Sequence, residues 1–127
     1  MAQVGIVIIS HSSKVVEGIQ EIIQQVMPDV PLALAGGTDE NEIGTSIEKI
    51  QAGIKKADQG KGVLLFFDLG SAKMNAEVAI ELTGRDDIQI VEAPLLEGSY
   101  VGAVESGLDK SMEEVKQAVE KNFVMNQ

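Results

Sequence analysis

Four short apolar runs, each followed by a stretch with helical spacing, constrain this chain more than any other feature. Residues 4–9, 31–35, 63–67 and 88–91 read as strands. Most are unbroken apolar runs, as expected of strands buried on both faces. Between them, Val15, Ile19, Ile22, Ile23 and Val26 mark the inner face of a helix over 14–26 that ends before Pro28. Ile47, Ile50 and Ile54 mark a second helix, opened by a capping box at Thr45 and Glu48. Gly60 and Gly62 bracket a turn. Ser71 is the expected N-cap of a third helix running to about Leu82, and 100–106 forms a short helix. A second capping box, Ser111 with Glu114, opens a last helix with Met112, Val115, Val119 and Phe123 inward. Strands alternating with helices predict an α/β fold: an open, mainly parallel sheet with helices on both faces.

One such domain spans 1–127, with no linker, repeat or low-complexity segment. With 3% aromatic residues, the core is built from Ile, Val, Leu, Ala and Met, and base-stacking platforms are absent. A net charge of −10 opposes a phosphate backbone, so nucleic acid is not an expected partner. No cysteine is present, which excludes disulfides, thiolate metal sites and a cysteine nucleophile. No apolar run reaches the roughly 20 residues of a membrane span, and no basic n-region precedes the first strand. A cytoplasmic, membrane-free protein is expected.

The first apolar run stops at the chain's single histidine, His11, flanked by Ser10 and Ser12. In open parallel sheets, functional groups gather beyond the carboxyl ends of strands, where the strand order switches direction. Three strand-end loops carry chemistry: Ser10-His11-Ser12, Gly36-Gly37-Thr38-Asp39 and Asp68-Leu69-Gly70-Ser71. A neutral imidazole is a nucleophile at one nitrogen when the other holds the proton, and Asp68 can accept that proton's hydrogen bond. Hydroxyls of Ser10, Ser12, Thr38 and Ser71, and backbone N–H groups freed by Gly36, Gly37 and Gly70, can meet phosphoryl oxygens. Asp39, Glu40 and Glu42 read as a solvated loop face rather than a metal cage. No G-x-S-x-G elbow supports a serine hydrolase. The cations nearest in sequence are Lys14 and Lys73.

The segments "GIVIISHSSKVVEGI", "LAGGTDENEIGTSIEKI", "FFDLGSAKMNAEVAIE" and "VEAPLLEGSYVGA" resemble, in order, the DhaM family. These are the small phosphocarrier subunits of phosphotransferase-dependent dihydroxyacetone kinase, similar to enzyme IIA of the mannose phosphotransferase family. The resemblance implies a phosphotransferase subunit with a phosphohistidine at His11, oriented by Asp68. It implies a phosphoryl group taken from HPr and passed to ADP held on DhaL, driving dihydroxyacetone phosphorylation on DhaK. It also implies a homodimer, with an edge strand exchanged in the mannose type. Exposed sheet edges and the apolar residues Ala93 to Leu96, Tyr100, Val101 and Val104 offer contact surfaces. This chain is expected to bind no cofactor or metal itself, the Mg-ADP lying on the partner. Ser10 and Ser12, where mannose-type relatives carry glycines, favour the kinase subunit over the IIA component of a sugar transporter. A third possibility is a tetrapyrrole metal chelatase, which also places a histidine after its first strand. It is disfavoured because a metal needs further converging ligands and there is no second histidine.

Overall fold

A computed structural model describes residues 2–123. Four strands form a wholly parallel sheet in the order β2-β1-β3-β4: β1 (Gly5–Ser10), β2 (Leu32–Gly36), β3 (Val63–Phe67) and β4 (Ile88–Ile90). Five helices complete the chain: α1 (Ser13–Val26), α2 (Ile47–Ala57), α3 (Gly70–Thr83), α4 (Leu95–Gly107) and α5 (Met112–Asn122).

The central strand explains the apolar runs. Alternate residues of β1 and β3 serve two cores: Ile6, Ile8, Leu64 and Phe66 face α1, α4 and α5, while Val7, Ile9, Val63 and Leu65 face α2 and α3. With both faces covered, no polar residue is tolerated in β1 before Ser10. Gly102 lets α4 approach the sheet, since a Cβ there would lie 2.8 Å from the Phe66 ring.

Several local expectations change. On α1 the buried stripe is Val16, Ile19 and Ile23, whereas Val15, Ile22 and Val26 point to solvent. Two apolar stripes share this helix, and only one can face the sheet. The cap of α2 is Ser46, not Thr45: its hydroxyl accepts from the Lys49 N–H, and Glu48 completes no capping box. The α3 N-cap is Leu69, without a side-chain bond, which leaves Ser71 in the first turn. Helix α4 begins at Leu95, well before Tyr100. The capping box of Ser111 and Glu114 is present, with Val115 and Val119 buried.

The sheet edges are less open than the sequence implies. Lys49 Nζ donates to the Gly36 carbonyl on the β2 edge (2.9 Å) and to Asn41 (2.6 Å), and β4 is only three residues long. Among the described residues no strand follows β4.

Candidate functional site

The strand order places the switch point between β1 and β3, because the chain leaves β1 toward β2 and later returns to its other side. The register pairs Ile9 with Phe67, so the next residues, Ser10 and Asp68, emerge side by side at the carboxyl end. His11 and Asp68 thus meet although 57 residues apart, and their side chains are 20% and 23% exposed.

Asp68 is saturated with donors. Its Oδ1 lies 3.0 Å from His11 Nδ1 and accepts from the Leu69 N–H (2.7 Å). Its Oδ2 accepts from the Ser10 hydroxyl (2.8 Å) and the His11 N–H (3.0 Å). Burial alone would push this carboxyl up. The bonds from the His11 backbone, the Ser10 hydroxyl, the His11 ring and the Leu69 backbone outweigh it and hold the group below the ordinary carboxylate range. An ionised carboxylate only accepts, so the neutral ring carries its proton on Nδ1. That leaves the Nε2 lone pair outward, where the Ser71 hydroxyl lies 2.7 Å away.

Ser71 sits in the first turn of α3, beside Gly70, where backbone N–H groups lack intrahelical partners. The structure therefore brings His11, Asp68, Ser71 and Ser10 into one hydrogen-bonded group, with Gly70 adjoining.

The remaining expected phosphoryl ligands are engaged elsewhere. Ser10 is fully buried, its hydroxyl donating to Asp68 and accepting from the Ser12 N–H (3.0 Å). Ser12 caps α1, its hydroxyl accepting from the Val15 N–H (3.4 Å). Thr38 closes its own loop, its hydroxyl accepting from the Glu42 N–H. Gly37, at φ +76°, bends that loop, and its N–H donates to the Ser10 carbonyl. Asp39 accepts from the Ser46 hydroxyl at the head of α2.

Two supports were not anticipated. The His11 carbonyl accepts from the Gly44 N–H (2.9 Å), and Asn75 of α3 donates to Thr45 (2.5 Å). Together they tie the 37–46 loop to the histidine and to α3. Neither was legible beforehand, because both join loop positions whose proximity depends on the strand order.

Lys73 is paired with Glu92, and among the described residues no lysine or arginine bonds to His11, Asp68 or Ser71. Among the same residues no group of three or more histidines and carboxylates is arranged to hold a metal ion. No helix among them is long and apolar enough to cross a membrane.

An open parallel sheet with a histidine at its switch point is an architecture suited to a phosphotransferase-system IIA domain. Residues 5–116 match the EIIA-man family model, described as the PTS system fructose IIA component. The phosphoryl donor subunit DhaM of a PEP-dependent dihydroxyacetone kinase from Listeria innocua is 42% identical over 109 residues, 86% of each chain. The phosphotransferase subunit DhaM from Lactococcus lactis is 34% identical over 94% of this chain and 96% of its own. The Escherichia coli DhaM is 33% identical over 88% of this chain, which spans only 25% of that longer protein. A crystal structure of a protein of unknown function superposes with a TM-score of 0.81 at 29% identity, covering 98% of both chains. The chain belongs to the DhaM group of the EIIA-man family.

Proposed function

We propose that this chain is the phosphocarrier of a dihydroxyacetone kinase system, and that it carries the phosphoryl group on Nε2 of His11. The Nε2 lone pair attacks the phosphorus of phosphorylated HPr. The N–P bond forms as the donor's bond to phosphorus breaks, and that electron pair leaves with the donor. In the second half, an oxygen of the ADP β-phosphate on DhaL attacks the same phosphorus. The N–P pair then returns to Nε2, and the ATP formed phosphorylates dihydroxyacetone on DhaK. Donor and acceptor put the relay in the cytoplasm.

The observation that carries this reading is the orientation of the ring. With Nδ1 facing Asp68, the nucleophilic nitrogen faces outward beside the first turn of α3. As positive charge grows on the ring, Asp68 compensates it. Ser71 turns its hydroxyl from the lone pair to a phosphoryl oxygen, beside the N–H groups of Gly70 and Ser71. Charge on the equatorial oxygens also calls for cations. With Lys73 engaged by Glu92 and a net charge of −10, the chain leaves Mg²⁺ and most nucleotide contacts to the partner. The same reading makes the chain a homodimer. The contact is the apolar groove between α1 and α4, lined by Ile22, Leu96, Glu97, Tyr100, Val101 and Phe123.

Incubation with phosphoenolpyruvate, enzyme I and HPr should add one acid-labile, base-stable phosphoryl group, absent in His11→Gln. The labelled protein should yield almost no ATP with Mg-ADP alone and discharge rapidly once DhaL is added. Label retained in His11→Gln refutes the carrier residue. Discharge to a sugar-transport component in place of ADP reassigns the chain to a transporter.

A further inference from the structure

Among the described residues, Ser10 is the one side chain besides His11 that bonds to the Asp68 carboxylate. It is 0% exposed, and its hydroxyl is held at both ends: the proton goes to Asp68 Oδ2, and a lone pair receives the Ser12 N–H. Its carbonyl is held as well, accepting from the Gly37 N–H (3.1 Å). The hydroxyl therefore has one available orientation, fixed from the α1 cap turn and spanning the gap from the end of β1 to the end of β3. Oδ2 is gripped by Ser10 and the His11 N–H, so Oδ1 is turned to His11 Nδ1 and the Leu69 N–H. A carboxylate has about four lone-pair sites. All four are filled, which disfavours rotation about its Cβ–Cγ bond.

We infer that Ser10 is a positioning residue that locks the Asp68 carboxylate and, through it, sets the tautomer of His11. The inference deepens the proposed phosphocarrier role and rests on it for its kinetic consequence only. Without the hydroxyl, Oδ2 keeps one donor, the carboxylate can turn, and Nδ1 loses a fixed acceptor. The ring then exchanges between tautomers, and only the one with a free Nε2 pair is nucleophilic.

Because His11 is the only histidine, long-range proton–nitrogen NMR reads its tautomer without assignment ambiguity. In alkaline buffer the wild type should show the Nδ1-protonated form alone. Ser10→Ala should show a mixture of tautomers and a phosphoryl-transfer rate about tenfold lower, the loss of one hydrogen bond to a charged acceptor. Ser10→Thr, which keeps the hydroxyl, should restore both, and thermal unfolding followed in parallel reports whether each variant is folded. A folded Ser10→Ala with the wild-type tautomer and rate overturns the inference. So does a loss that follows thermal stability alone, equal in the Ala and Thr variants. If the wild type holds the stated tautomer but accepts no phosphoryl group, the carrier reading fails while the Ser10 lock stands.

Discussion

Replacing Asp68 by alanine should slow phosphoryl transfer far more than it loosens the fold. In the transition state the His11 ring acquires positive charge, with its Nδ1 3.0 Å from the Asp68 carboxylate. Unit charges 4 Å apart interact by about 1 kcal/mol in water and about 4 kcal/mol at an effective dielectric near 20. The side chains are 20% and 23% exposed, which places the pair between these limits, at about 2 to 3 kcal/mol. Loss of the bond that holds the ring adds about 1 kcal/mol. The sum, about 3 to 4 kcal/mol, corresponds to roughly a 10²- to 10³-fold fall in rate. The fold loses less. The buried Ser10 hydroxyl is left without its acceptor at a cost of about 1–3 kcal/mol, below the total stability of about 5–15 kcal/mol usual for a domain. Rapid-quench labelling of wild type and variant, with thermal unfolding alongside, measures both. A folded Asp68→Ala that labels at the wild-type rate would refute the account, because among the described residues nothing else accepts from Nδ1.

Ile22→Asp or Leu96→Asp should halve the mass seen by light scattering without unfolding the chain, since both side chains are already 47% and 39% exposed in the protomer. An unchanged dimer mass would move the contact to another face. Acid should destabilise the protein in a defined window. Asp58 and Asp87, hydrogen-bonded to Arg85, Asp68 at the site, and Glu114 in its capping box all lie below their ordinary values. A depressed carboxyl adds stability above its unfolded value and loses it as pH falls through the folded one. The unfolding midpoint should therefore be flat above about pH 5 and fall below about pH 4. Arg85→Ala should flatten that fall, and an acid limb unchanged in this variant would show that other groups dominate.

The architecture was legible because burial on both faces leaves a plain mark: β3 is apolar throughout and β1 up to its last residue, Ser10, and amphipathic segments separate the strands. His11 and Asp68 were legible as residues ending those strands. Their contact depends on β1 and β3 being neighbours in register, which no local pattern states. The surroundings of Ser10 depend on the register in the same way. A hydroxyl beside a nucleophile reads as a ligand until the register shows it pressed against Asp68. On α1 two apolar stripes satisfy the same helical period, so spacing alone could not choose the buried one. The expected helix over 100–106 starts late because Gly98 weakens helix propensity ahead of it, yet a Cβ at Gly98 would collide with Ala93 and one at Gly102 with the Phe66 ring.

The geometry around His11 also bears on the charge balance of the proposed transfer. Oδ1 and Oδ2 of Asp68 are each filled by two donors, and the Ser10 proton is spent on one of them. Every polar group below the ring is thus committed to orienting it. On the outward side of the ring stand the Ser71 hydroxyl and the first turn of α3. A helix N-terminus contributes about half an elementary charge, too little to balance a phosphoryl group in flight. A nucleophile held this firmly, with so little cationic charge around its product, suits a carrier that borrows the missing charge from whichever partner docks. Transfer in either half-reaction should then depend on a basic side chain or Mg²⁺ in the partner. Neutralising that group should stop discharge of His11 while leaving the phosphorylated chain intact. Discharge that proceeds unchanged would mean the charge comes from this chain after all.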